Sequence, residues 1–198
     1  MIELSIALIV FLFPLAYSPG PGNLFFAVSG AKFGLMATLP SNAGYHIATW
    51  VVTVILGFGF GTIVQQYPFA FKYIGITGSV YVLYLAWLFF NAGVMGDTAD
   101  APKIGFWDGA ILLVFNPKAY VIIVAMFTQF LGASSDVYLV LLISTLFTVN
   151  NLIAFIIWTY FGDRLIHQFN NEKYASYINK LFGIVLAVIA VWMLIRAF

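Results

Sequence analysis

The chain has no cysteine and very few charged residues. Among 198 residues there are 8 Lys+Arg, 7 Asp+Glu and 2 His, so charged residues make up 8% of the sequence. An ordinary soluble domain carries about 25% charged residues, and the few present here are not enough to cover a soluble body of this size. The lack of cysteine also excludes disulfides, thiolate metal sites and thiol catalysis. The composition therefore excludes a soluble enzyme.

Basic clusters and metal-ligand clusters are missing as well. The net charge is +1 without a basic run, so the chain lacks the patch of Lys and Arg that neutralises nucleic-acid phosphates. His46 and His167 are the two histidines, which are too few for a histidine metal site. We expect no nucleic-acid partner, no metal and no cofactor.

Long apolar stretches dominate what is present. Hydrophobic residues make up 63% of the chain, and the charges are spaced so that the stretches between them reach the roughly 20 residues that cross a bilayer as a helix. This spacing predicts an all-α membrane protein with six transmembrane helices. They form a single transmembrane domain over residues 1–198. The predicted spans are 3–27, 37–64, 70–92, 106–130, 137–161 and 177–197.

Basic residues in the connecting loops predict the orientation. Cytoplasmic loops carry an excess of Lys and Arg. The loops after spans 1, 3 and 5 carry more basic residues than the opposite side, so both termini are expected outside. The residues on the expected cytoplasmic side are Lys32, Lys103, Arg164, Lys173 and Lys180, against Lys72 and Arg196.

The six spans divide into two halves of three, about 1–96 and 103–198. An odd number of helices per half reverses the second half, so any repeat must be inverted. The first span of each half contains a proline motif: Ser18-Pro19-Gly20-Pro21-Gly22-Asn23 in one and Asn116-Pro117-Lys118 in the other. We therefore predict two inverted three-helix repeats whose helices 1 and 4 are broken.

These proline motifs are candidate binding sites. Proline removes an amide donor from a helix, and unwound backbone at membrane depth is tolerated only inside protein or beside a wet cavity. The ends of broken helices attract carboxylates and cations, and a zwitterionic amino acid presents both charges. A plain proline kink is the alternative. The candidate substrate-binding or gating residues are Pro19, Gly20, Pro21, Gly22, Asn23, Asn42, Asn116, Pro117, Lys118 and Asn150.

Lys118 is the most informative of these residues. An ammonium near the middle of a membrane costs at least about 2.5–3.5 kcal/mol unless it faces protein or water, so it needs a partner. That partner could be a substrate carboxylate, carbonyls released by Pro117, or Asp108. Proton transfer could involve His46, Lys118 or Asp108. Asn151, like the asparagines named above, is a neutral polar residue within a predicted span.

The two proline motifs also carry a family resemblance. The run from Ser18 to Asn23, with Gly30, Gly34 and Gly44 after it, resembles the N-terminal signature of the lysine-exporter-type (LysE/RhtB) amino-acid efflux family. The stretches 106–109 and 116–119 are similar to its fourth span. The resemblance implies a six-helix exporter in the bacterial inner membrane that moves amino acids or derivatives outward against protons.

We therefore expect a secondary transporter that works by alternating access and exports small amino acids or derivatives. Neutral substrates are favoured because the spans hold few acidic residues. The expected partners are an amino-acid-like solute, protons and membrane lipid, and a homo-oligomer is left open. The alternatives, an intramembrane enzyme or a small channel, lack a recognisable catalytic constellation or filter segment.

Overall fold

The computed structural model describes residues 2–66, 104–131 and 136–168, with scattered helical positions between 73 and 90 and between 177 and 195. All regular structure in these ranges is helical, which confirms the predicted all-α membrane fold. The helices are α1 (Ile2–Tyr17), α2 (Pro21–Phe33), α3 (Leu35–Gln66), α4 (Phe106–Val114), α5 (Pro117–Phe130) and α6 (Val137–Gln168).

Two helix pairs are bent at the proline motifs. The angle is 62° between α1 and α2 and 61° between α4 and α5, and each pair taken together is long and apolar enough to cross a membrane. The stretch Val137–Arg164 of α6 meets the same criteria as an unbroken helix. The predicted breaks are therefore present. Most of the predicted spans 70–92 and 177–197 lies outside the described residues.

The breaks are shorter than the proline motifs suggested. Pro21 and Pro117 are the first residues of α2 and α5, where a missing amide hydrogen costs nothing because that amide would lack an intrahelical acceptor. Irregular backbone is limited to Ser18, Pro19 and Gly20 in one break and to Phe115 and Asn116 in the other. Proline thus begins each second helix instead of lying in an unwound loop.

Glycines allow two helix pairs to pack at backbone distance. A Cβ atom at Gly30 or Gly162 would collide with the backbone of the facing helix in the α2–α6 pair, and one at Gly44 or Gly109 would do so in the α3–α4 pair. Membrane helices associate through such small residues because burial of apolar surface does not favour helix association within lipid. These contacts bring the end of α2, the starts of α3 and α4, and the end of α6 to one end of the bundle.

Lys32 and Arg164 lie at that end, although within the last part of α2 and of α6 and not in the loops predicted for them. Lys32 is in the last turn of α2, which ends at Gly34 with a φ of 81°. A Cβ atom at Gly34 would lie 3.8 Å from Asp163 Oδ1, the neighbour of Arg164 in α6. Two basic residues of the expected cytoplasmic side therefore share one end of the molecule.

Two hydrophobic clusters flank the breaks. One joins α1 with α5 and α6, and it includes Leu8, Leu12, Ile123, Met126 and Phe147. The other joins α2, α3, α4 and α6, and it includes Phe26, Tyr45, Leu112, Leu113 and Phe155. The two breaks meet between these clusters.

Candidate functional site

Lys118 joins the two breaks. Its Nζ donates hydrogen bonds to the backbone carbonyl of Ser18, at 2.6 Å, and to Asn23 Oδ1, at 3.2 Å. Ser18 O is one of the last carbonyls of the broken first span, where the helix dipole places partial negative charge. The ammonium is therefore stabilised by a carbonyl of the opposite break, and not by Asp108 or by carbonyls beside Pro117.

Gly20 makes room for this side chain. A Cβ atom at this position would lie 2.6 Å from Lys118 Cδ and 3.0 Å from Lys118 Nζ. Distances under about 3 Å between such atoms are not tolerated, so any larger residue would displace the lysine. The glycine between the two prolines thus has a packing role at the site.

Asn116 caps the second half-helix and faces Tyr45. Its Oδ1 accepts a hydrogen bond from Lys118 N at 3.1 Å, as an N-cap residue does, and its Nδ2 donates to the Tyr45 hydroxyl at 2.7 Å. Gly22 lies against Asn116 and Phe155, since a Cβ atom there would come within 3.1 Å of Asn116 Nδ2 and 2.8 Å of Phe155 Cζ.

Asn23 lies in the first turn of α2, beside the first break. Its Oδ1 accepts from Lys118, and its Nδ2 donates to the Ala16 carbonyl at 2.9 Å. Both functions of the amide are therefore used, and the side chain is buried. Asn23 connects the end of α1 to the ammonium.

A cavity of about 10 Å³ lies at the meeting point of the breaks. This volume is close to the smallest that holds one water molecule, and ligand pockets for small molecules usually measure several hundred Å³. In this structure the cavity is therefore too small to hold an amino acid. The lining residues are Asn23, Tyr45, Asn116, Lys118, Ala119, Ile122, Phe147, Asn151 and Phe155.

Aromatic rings close one side of this cavity. The ring of Phe155 lies 4.8 Å from that of Tyr45, 5.2 Å from that of Phe26 and 5.2 Å from that of His46, measured between centroids. Such rings make favourable edge and tilted contacts at these separations. Phe26, Tyr45, His46 and Phe155 thus form one aromatic cluster beside the cavity.

His46 is separated from the cavity by one side chain. Its Nδ1 donates to the Asn42 carbonyl at 2.8 Å, which assigns the proton of the neutral ring to Nδ1 and leaves Nε2 to accept from Asn151 Nδ2 at 3.4 Å. Asn151 also lines the cavity. On its other side, His46 borders an open groove of about 590 Å³ between α3 and α6.

Three other candidates from the sequence lie apart from Lys118. Asn42 and Asn150 are buried, and neither amide nitrogen has a hydrogen-bond partner among the described groups. Asp108 is exposed at the start of α4, where its Oδ2 accepts from Gly105 N at 2.7 Å. The break residues Gly20, Gly22, Asn23, Asn116 and Lys118 are the candidates that the fold brings together.

Sequence reasoning missed Tyr45 and Phe155 as site residues. Aromatic residues make up 19% of the chain, so nothing in composition or spacing distinguishes these two from the rings that face lipid. Within the part of the chain that the structure covers, no group of three or more His, Cys, Asp or Glu residues could hold a metal ion. The site consists of one ammonium, amides, a phenol and backbone carbonyls.

A family model described as LysE type translocator matches residues 13–197, a range that includes both breaks and the whole site. The chain belongs to the LysE type translocator family. This confirms the resemblance carried by the proline motifs. It also confirms a transporter instead of an intramembrane enzyme.

This translocator is similar to two bacterial proteins over most of its length. It is 28% identical, over 84% of both chains, to an uncharacterised membrane protein of Vibrio cholerae serotype O1. It is 24% identical, over 85% of both chains, to the homoserine/homoserine lactone efflux protein of Salmonella typhimurium. No solved structure matches it.

Proposed function

We propose that this translocator exports small neutral amino acids or close derivatives, which bind where Lys118 joins the two breaks. The observation that carries the proposal is the ammonium held by Ser18 O and Asn23 Oδ1 between two half-helices. Among the residues that the structure describes, the cavity lining contains this cation and no carboxylate, an arrangement that suits a solute carboxylate and disfavours a cationic side chain. A relative named for homoserine and homoserine lactone efflux supports amino acids and their close derivatives as the substrate class.

Binding would proceed as an exchange of partners on Lys118. A solute carboxylate replaces Ser18 O as the acceptor, and the freed carbonyl, together with Asn23 Oδ1, becomes available to the solute ammonium. Because Lys118 then no longer holds the end of α1 to the start of α5, the two halves can move relative to each other. This release is how we propose that alternating access begins.

Export against a gradient without ATP needs a second gradient, and we propose that inward proton flow supplies it. In one version His46 carries the proton, supported by its contact with Asn151 of the cavity lining. In the other version, solute and proton exchange at Lys118 itself. Asp108 is the weakest candidate, because it caps an exposed helix end.

We further propose that the protein lies in the bacterial inner membrane with both termini outside. Lys32 and Arg164 at one end of the bundle support a cytoplasmic assignment for that end. The inverted repeat and the homo-oligomer stay predictions.

Amino-acid counterflow into proteoliposomes tests the proposed function. Lys118→Met removes the charge, so we expect counterflow of neutral amino acids to fall at least tenfold, with insertion into the vesicles unchanged. Lys32→Met is the matched control, because Lys32 lies at the end of α2 against the Phe33 ring and far from the cavity lining. Its counterflow should equal that of the wild type.

Two results would contradict the proposal. Wild-type counterflow in properly inserted Lys118→Met would make the charge incidental. Solute flux without acceleration by solute on the opposite side would indicate a channel instead of a carrier.

A further inference from the structure

The hydrogen bond between Asn116 and Tyr45 has a fixed direction. Asn116 Oδ1 is engaged by Lys118 N in the helix cap, so the other end of the amide, Nδ2, must be the atom that faces Tyr45. An amide nitrogen donates and cannot accept. The Tyr45 oxygen is therefore the acceptor in this 2.7 Å bond.

This direction leaves the hydroxyl proton of Tyr45 for another acceptor. Among the described residues, Tyr45 donates no hydrogen bond, and its side chain is buried, with 1% of its surface exposed. A buried donor without an acceptor costs about 1–3 kcal/mol. Tyr45 lines the cavity together with Lys118 and Asn23, so a group held in that cavity is positioned to accept this proton.

Asn116 fixes the position of this hydroxyl relative to Lys118. Its two amide atoms bind the backbone of Lys118 on α5 and the phenol of Tyr45 on α3. An ammonium and a hydroxyl thus border the same small space as two donors. A carboxylate has two oxygens and accepts such charge-assisted hydrogen bonds on both, whereas an amide or lactone offers a single neutral carbonyl oxygen to them.

We propose that Tyr45 is a substrate-binding residue, whose hydroxyl donates to one carboxylate oxygen of the solute while Lys118 holds the other. The site thereby selects amino acids with a free carboxylate over their carboxamides. This inference rests on the proposed function and specifies its substrate class.

Tyr45→Phe tests this inference in proteoliposomes, with the neutral amino acid that shows the fastest counterflow and with its carboxamide as a competitor. The variant keeps the ring that packs against Phe155 and removes the hydroxyl. Hydrogen bonds to charged groups contribute about 1.5–3 kcal/mol, which corresponds to a rise of roughly 10- to 150-fold in KM for the acid. The inhibition constant of the carboxamide should change less than twofold, and the maximal rate should change little.

Tyr120→Phe is the matched control. Tyr120 donates its hydroxyl to the Val114 carbonyl at 3.0 Å and does not line the cavity. Removing that hydroxyl should leave the ratio of acid to carboxamide affinity at its wild-type value.

The wild type supplies a test that does not depend on folding of a variant, because the carboxamide should compete at least tenfold more weakly than the acid. Equal competition would overturn the inference. So would Tyr45→Phe if it weakened acid and carboxamide alike, which would make the hydroxyl a support for Asn116 only, or if it weakened neither. Absence of counterflow with every neutral amino acid would instead overturn the proposed function, and the inference with it.

Discussion

The Lys118 ammonium donates hydrogen bonds to a backbone carbonyl oxygen and to a side-chain amide oxygen. Lys118 Nζ lies 2.6 Å from Ser18 O, and a hydrogen bond to a charged group contributes about 1.5–3 kcal/mol. In the proposed exchange a solute replaces this bond and does not simply add a new one, so only the difference between carboxylate and carbonyl would favour binding. The site is therefore expected to bind with modest affinity, which allows release on the other side.

A substitution at His46 tests whether this residue carries the coupling proton. If it carries the coupling proton, His46→Gln should leave solute binding within about twofold of the wild type and uncouple export from an imposed pH gradient, because glutamine does not titrate. The measurement is uphill export in vesicles with and without the gradient, beside equilibrium binding of the same solute.

The alternative version predicts a different result. With exchange at Lys118, the His46 substitution should be nearly silent, and changes at Lys118 should reduce binding and coupling together. Uphill export by the wild type that survives collapse of the pH gradient would contradict both versions.

Sequence alone predicted the polar members of the site and not their partners. Asn23, Asn116 and Lys118 are conspicuous because they are polar residues within apolar spans. The acceptor of Lys118 is a backbone carbonyl far away in the sequence, and no residue type marks such an atom. Tyr45 was missed because the role proposed for it depends on the direction of the Asn116 amide, which only the helix cap defines.

At the scale of the helices, the free carbonyl exists because the first span is broken. In a continuous helix, Ser18 O would accept from the amide four residues later, that of Gly22. Here α2 instead begins anew at Pro21, at 62° to α1. The acceptor that Lys118 uses is thus a product of the break.

Removing the prolines of the first break should therefore remove the site. Changing Pro19 and Pro21 to alanine together favours a straight helix in which Ser18 O is paired internally. We expect at least a tenfold loss of amino-acid counterflow in a variant that inserts normally. Pro14→Ala is the control, since Pro14 lies within α1 and away from the cavity lining, and it should transport at close to the wild-type rate.

Normal transport by the inserted double variant would remove the site assignment.

The positions of the breaks and span 106–130 were predictable from proline and charge. The extension of α6 to Gln168, beyond the predicted end at 161, was not, because hydropathy marks the membrane-crossing part of a helix and not its end.

At the scale of the whole molecule, each broken pair packs against the long helix of the other half. α2 lies against α6, and α4 lies against α3. Lys118 adds a polar link between the halves at the point where both are bent. A solute that takes over this link changes the contact between the halves and not only the local site.

If solute binding at Lys118 releases the two breaks from each other, as we propose, the distance between α1 and α5 should change. Spin labels on these two helices report that distance by pulsed electron resonance in nanodiscs. The chain has no cysteine, so Val10→Cys and Val121→Cys introduce labels at two exposed positions without background. We predict that a saturating neutral amino acid shifts the distance distribution, and that the shift is lost when Lys118→Met is added. An unchanged distribution at saturating solute, or the same shift without Lys118, would contradict the claim.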